Sequence, residues 1–349
     1  MITIVYVLSL ILAIFSLYFS TNWLILWFLV ELGTLSLVVL LSESATPRGV
    51  ESTTKYFVTQ GVASVLLLFG IILNSILGGS LSLFSVYSLV PYYIILSSIL
   101  IKLAVFPNPF WIIDVLSGVS LSRGIFVVLF SKLIPVYLYY LIGGPFSIVL
   151  IVVGLSSIIF GSILGINQTS VRKIVALSSI SHMGWVVLSF PLLSGNLCLF
   201  IFLSYIMMVV PLLWISSSIS LDHLIKGKNV YHNWGNVNIV CICLLSLGGL
   251  PPLLGFFYKW VMFIALVNSE QYLTIVFLVF LSLFSLFFYL QICHSLISIY
   301  WPEIKIMSFG TIGYIGSSFN LLNLCVIVYC ILIVILGIWC IGILSGTWF

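Results

Sequence analysis

The stretch GGLPPLLGFFYKW, Gly248 to Trp260, interrupts an apolar run at 237–267 that is long enough to cross a membrane. Pro251 and Pro252 remove two backbone donors and clash with the preceding turn. Gly248 and Gly249 loosen the same region. The carbonyls of that turn lose their helical partners. Such backbone is tolerated at membrane depth only inside protein or beside a wet cavity. Lys259 follows on the far side of the interruption, and a charge at the bilayer centre costs on the order of 3 kcal/mol. The break and the lysine explain each other. The interruption admits polar groups and a few waters, and these let an ammonium exist at that depth. A lysine held between burial and hydration can load and release a proton.

The rest of the chain fits a lipid solvent. Its 349 residues are 63% hydrophobic and 5% charged, with a mean hydropathy of +1.37, whereas a soluble domain carries about 25% charged residues. Apolar runs near 2–20, 22–42, 53–77, 88–106, 121–141, 146–166, 171–190, 195–220, 237–267, 271–299 and 322–345 predict about eleven membrane-spanning helices. Their length favours helices over a β-barrel, whose strands need only about ten residues. The fold class is therefore an all-α polytopic membrane protein, a single transmembrane domain over 1–349. The apolar start, MITIVYVLSLILAIFSLYFS, lacks a basic leader and a small-residue cleavage site, so it is expected to be the first spanning helix. The seven cysteines all fall in apolar runs without a CxxC pair and read as small hydrophobes.

The charges sort by position. Arg48, Lys55, Arg123, Arg172, Lys173, Lys226, Lys228 and Lys305 all lie after even-numbered runs or at their ends. The positive-inside rule then puts the N-terminus and the even loops on the cytoplasmic side, or the matrix side in a mitochondrion. Lys102, Lys132 and Lys259 lie within apolar runs, as does Glu31 in WFLVELGTLSLVVLLS. Each has a plainer reading. Lys102 precedes Pro107 and could extend its stem to an interface; Lys132 and Lys259 could be structural. Glu31 is too short to reach an interface, which leaves an ion pair or a functional site. Together the four point to a proton or ion path.

A second interruption resembles the first. LIKLAVFPNPFWIID, Leu100 to Asp114, pairs Pro107 and Pro109 with Lys102, here with the lysine before the prolines. Interrupted segments five runs apart predict an inverted repeat of five helices per half. Between them, in INQTSVRKIVALSSISHMGWVVLS, His182 stands in a polar cluster with Ser178, Ser179 and Ser181. A hydrogen bond to a neighbouring helix and a proton relay are both open readings for it. GSILG, Gly161 to Gly165, reads as close helix packing. No phosphate loop, dinucleotide fingerprint, metal-ligand cluster or basic domain is present in the sequence, so no cofactor is expected on this chain and nucleic acid is excluded as a partner.

Taken together, GGLPPLLGFFYKW, INQTSVRKIVALSSISHMGW, WFLVELGTLSLVVLLS, LIKLAVFPNPFWIID, ESTTKYFVTQ and SKLIP resemble the antiporter-like membrane-arm subunits of respiratory complex I, NADH:ubiquinone oxidoreductase, of the mitochondrial subunit 2 type. The resemblance implies two inverted five-helix repeats, each with one broken helix, in the shortened animal form that lacks three N-terminal helices. It implies proton translocation driven by quinone reduction elsewhere in the complex. By position, Glu31 resembles the key acid, Lys102 its pairing lysine, Lys132 the central lysine and Lys259 the lysine nearest the exit. His182 resembles the histidine between the repeats. NADH, FMN, iron–sulfur clusters and ubiquinone are then expected on other subunits. The implied partners are other membrane-arm subunits, including neighbouring antiporter-like ones, and lipids; the implied location is the mitochondrial inner membrane with the N-terminus in the matrix. One departure stands out: where the family commonly has a histidine in this motif, Pro109 stands here. A stand-alone cation/proton antiporter and a structural subunit without its own proton path remain the alternatives.

Overall fold

The computed structural model describes the chain apart from residues 1, 18, 43–45, 79, 84–87, 143–146, 167, 219–233, 252 and 301–349. Pro252 and the apolar run at 322–345 therefore lie outside the described residues. The described chain is almost wholly helical, with an isolated antiparallel bridge joining Asn22 to Ser82. Seven of its helices are long and apolar enough to cross a membrane.

The chain divides into two compact units. The first holds α1 (Ile2–Leu17), α2 (Trp23–Ser42), α3 (Pro47–Gly78), α4 (Leu89–Leu103), α5 (Phe110–Gly118) and α6 (Leu121–Ile142). It also takes α7 (Ile148–Gly165) up to Ser157 and α8 (Val171–Ser189) from Ser179 onward. In this unit α3 packs against α2, α4 and α5, and α6 packs against α2 and α4. The second unit holds the remaining ends of α7 and α8 with α9 (Gly195–Ser218), α10 (Trp234–Gly248), α11 (Leu254–Asn268) and α12 (Tyr272–Tyr300). There α10 packs on α9 and α12, and α11 touches all three.

Helix lengths follow the membrane. The 32 residues of α3 rise about 48 Å, more than the ~30 Å of hydrocarbon. Its first turns, with Arg48, Glu51 and Lys55, therefore have room to reach past the apolar slab. Large apolar side chains face outward, among them Val5, Leu12, Phe57, Val65, Leu273 and Phe284, while Gln60, Asn74, Lys102, Lys132, His182 and Lys259 are buried. Apolar outside and polar inside reverses the soluble pattern, and it follows when lipid rather than water covers the surface.

Both proline-containing stretches interrupt helices. The expected run at 88–106 stops at Leu103, and the run at 237–267 is two helices of 15 residues, α10 and α11. The short helix α5 lies where the hydropathy reading left a connection. At the first break Ala104 takes the left-handed conformation with φ 59°, and at the second Gly249 does so with φ 84°. Val105 N–H then donates to the Leu100 carbonyl, and Leu250 N–H to the Leu245 carbonyl. The same left-handed cap closes both first halves. Prolines beyond it prevent the helix from resuming at once.

Candidate functional site

Lys102 sits in the last turn of α4 and is 1% exposed. That turn's free carbonyls form the negative end of the helix dipole, which favours a cation there. Its Nζ lies 3.5 Å from the main-chain carbonyl of Gln60 on α3, a long contact. The neighbouring carbonyl, Ile101, accepts the Ala104 N–H at 3.1 Å and also the indole N–H of Trp111 at 3.0 Å, so α5 is tied to the end of α4. The Trp111 ring in turn packs on Tyr56 of α3, with centroids 5.7 Å apart.

Glu31 is half-buried on α2. Thr34 donates its hydroxyl to the Glu31 main-chain carbonyl at 2.8 Å and stands 3.4 Å from its carboxylate. The carboxylate acts electrostatically on both Lys102 and Tyr56, but no direct ion pair joins it to Lys102. Lys55 makes ion pairs to Glu51 at 2.9 Å and to Asp114 at 2.9 Å. Both carboxylates are exposed, and such pairs add little stability; what Lys55 does is tie α3 to α5 beside the first break. A cavity of about 370 Å³ opens there, lined by Thr59, Asn108, Phe110, Trp111 and the Lys55–Asp114 pair.

Lys132 is fully buried in the middle of α6. Its ammonium donates to the Ser179 carbonyl of α8 at 3.1 Å. Pro135, inside α6, has no N–H to offer the Ser131 carbonyl four residues back, so the helix is weakened beside the lysine. Ser131 donates its own hydroxyl to Val127. His182, also buried, follows Ser179 by three residues and so occupies the same face of α8.

In the second unit Lys259 is buried in the second turn of α11. It donates to the Gly248 carbonyl at 2.8 Å. Gly248 ends α10, so the ammonium caps the very helix whose last carbonyls the break has freed. Gly249 makes this possible twice over. It takes the left-handed φ, and a Cβ there would stand 3.1 Å from both Cδ and Nζ of Lys259. Pro251 follows in the turn between the two helices. Gly255 brings α11 against α10 so closely that a Cβ would lie 1.6 Å from the Ser246 carbonyl oxygen.

The structure thus brings Lys102, Gln60, Tyr56 and Trp111 to the first break, Lys132 and Ser179 to one α6–α8 contact, and Lys259 and Gly248 to the second break. Sequence reading missed the parts of Tyr56, Gln60 and Trp111. Their only sequence signal is Tyr56 and Gln60 at helical i,i+4 spacing in ESTTKYFVTQ, and a tryptophan just after the prolines. No group of His, Cys, Asp and Glu among the described residues is arranged to hold a metal ion.

Interrupted helices that keep lysines buried, in a described chain that is almost wholly helical with an apolar exterior, define a class of polytopic membrane protein with ionisable side chains packed among its helices. The family described as NADH:quinone oxidoreductase/Mrp antiporter, transmembrane, matches residues 20–285, and the chain belongs to it. NADH-ubiquinone oxidoreductase chain 2 of Sylvisorex johnstoni is 35% identical over 280 residues, covering 79% of this chain and 80% of that protein. The protein of the same name from Ornithorhynchus anatinus is 35% identical over 285 residues, with the same coverage of 79% and 80%. Among solved structures, a chain of respiratory complex I from Thermus thermophilus is similar with a TM-score of 0.82 at 22% identity, covering 96% of this chain and 78% of that one. A chain of the Mrp complex from Dietzia sp. is similar with a TM-score of 0.75 at 20% identity, covering 82% of this chain; the present chain spans 59% of its length. At these identities the structural likeness is one of fold.

Proposed function

We propose that this chain is a proton-translocating membrane-arm subunit of NADH:ubiquinone oxidoreductase in the mitochondrial inner membrane. Quinone reduction elsewhere in the complex drives it, and NADH, flavin, iron–sulfur and quinone chemistry stays on other subunits. The observation that carries the reading is the set of three buried lysines, Lys102, Lys132 and Lys259, each with its ammonium facing a main-chain carbonyl, two of them at helix interruptions. A main-chain carbonyl is a neutral acceptor, so the protonation of an ammonium that donates to one responds to the charge of its neighbours.

In this reading Glu31 sets the charge state of Lys102 across a gap, and the change passes to Lys132, His182 and Lys259 in turn. A buried charge that loses its partner costs about 3–5 kcal/mol, which is enough to drive a proton to the next site. The shared left-handed cap at Ala104 and Gly249 supports two repeats with one broken helix each, within an arrangement of about eleven spans. The placement of basic residues supports an N-terminus and even loops on the matrix side. The outward apolar faces suit lipid and neighbouring membrane-arm subunits.

The decisive experiment replaces Lys132 with Met in the assembled complex and measures protons pumped per electron in sealed vesicles. The expected result is a lowered ratio with assembly preserved. An unchanged ratio would falsify the reading. The fold shared with a chain of an Mrp complex favours one second reading, a cation/proton antiporter core. Sodium-for-proton exchange in vesicles without electron transfer would select that reading.

A further inference from the structure

Two polar atoms beside the first break have no hydrogen-bond partner although both are buried: the Tyr56 hydroxyl and the Gln60 side-chain nitrogen. Tyr56 is 0% exposed and Gln60 2%. Leaving such a group unsatisfied costs about 1–3 kcal/mol, and the usual remedy in a polar buried space is a water with two to four partners. The two residues stand four apart on α3, hence one above the other on one helix face.

That face looks toward Glu31. Trp27 of α2 donates its indole N–H to the Ser64 carbonyl of α3 at 3.0 Å, which fixes the two helices at one level. A short connection makes α2 and α3 antiparallel. One turn beyond Trp27 on α2 comes Glu31; one turn back from Ser64 on α3 comes Gln60, and one further turn back comes Tyr56. The electrostatic influence of Glu31 on both Tyr56 and Lys102 agrees with this register. On the other side, the main-chain carbonyl of Gln60 is the group that Lys102 faces. Glu31 and Lys102 are thus the two ends of a gap whose wall is the Tyr56–Gln60 face of α3.

We infer that Tyr56 and Gln60 bind internal water that joins Glu31 to Lys102, and that they are proton-path residues in their own right. A carboxylate and an ammonium that do not touch exchange a proton through a hydroxyl and water: the ammonium gives its proton to water, the water passes one on to the Tyr56 hydroxyl, and that hydroxyl releases its own toward Glu31. Each oxygen gains one proton and loses one, so no group but the two ends changes charge. Gln60 donates to the water and keeps it in place.

This rests on the proton-path reading above, and the test separates the two. In the assembled complex in sealed vesicles, Tyr56→Phe keeps the ring on Trp111 and removes only the hydroxyl; Gln60→Leu removes the amide. The expected result for Tyr56→Phe is a fall of about tenfold in coupled proton flux. Added to Glu31→Gln, it should cause no further loss, since both act on one route. Wild-type flux in Tyr56→Phe, or a full additional loss on top of Glu31→Gln, overturns the inference. Should Gln60→Leu fail to assemble, Tyr56→Phe decides alone. A map of the complex that resolves water provides a second check: density within hydrogen-bond distance of both atoms is expected, and a dry gap overturns the inference. If Lys132→Met stops pumping and Tyr56→Phe does not, only this inference falls. If Lys132→Met pumps normally, the underlying reading falls with it.

Discussion

The two breaks solve one problem in different ways. Each ends a helix with a left-handed residue and leaves carbonyls without helical partners. At the first, a tryptophan from the following helix adds a second donor to the Ile101 carbonyl, and the lysine makes a long contact to another helix. At the second, the lysine itself takes the terminal carbonyl of α10 at 2.8 Å. A carboxylate, Glu31, acts on Lys102. The first lysine thus stands near a carboxylate, and the second donates to a helix end. The difference is also steric. Gly255 stands six residues after the left-handed Gly249 and lets α11 touch α10; Phe110 stands six residues after Ala104 and points outward.

The largest effect expected from this contrast is at Gly255. Gly255→Ala puts a methyl group into the Ser246 carbonyl, and a backbone atom cannot step aside as a flexible side chain can. A loss of about 3 kcal/mol or more is expected, seen as loss of the subunit from the assembled complex, while Phe110→Ala leaves assembly intact. Equal tolerance at both positions would break the comparison.

Next in size is the removal of each lysine's ammonium. Lys259→Met leaves the Gly248 carbonyl unpaired in a site without bulk water, and should lower stability by about 1–3 kcal/mol. Lys102→Met gives up only a long contact, to a Gln60 carbonyl in the interior of α3 rather than at a helix end, and should change stability by less than about 0.5 kcal/mol. Thermal inactivation of the purified complex measures both. Equal shifts would show that Lys259 is not a structural cap.

A smaller effect falls on the left-handed residues. Gly249→Ala imposes about 1–2 kcal/mol of backbone strain and crowds Lys259, so pumping should fall together with stability. Smallest is Ala104→Gly, which relieves the same strain but adds unfolded-chain entropy, for a net gain below about 1 kcal/mol. Thermal inactivation of the two variants should move in opposite directions. Movement in the same direction would mean that the two caps are not equivalent.

Sequence alone determined the lipid environment, the helical class and the sites of interruption. Hydropathy over some twenty residues reports transfer from water to hydrocarbon, and proline removes a backbone donor wherever it stands. The buried lysines and Glu31 were legible for the same reason: a charge inside an apolar run is costly regardless of its surroundings. Only the tertiary structure decided what each charge faces. That Lys102 looks at Gln60, that Trp111 donates to Ile101, that Lys132 reaches Ser179 and that Lys259 caps α10 all depend on contacts between segments 10 to 47 residues apart in sequence. The contact between two helices depends on their rotation and depth as packed bodies, which no local spacing encodes. Glu31 and Lys102 illustrate it: each was recognisable as an expensive charge, but the gap between them, and the tyrosine and glutamine along it, exist only once α2, α3 and α4 are packed together.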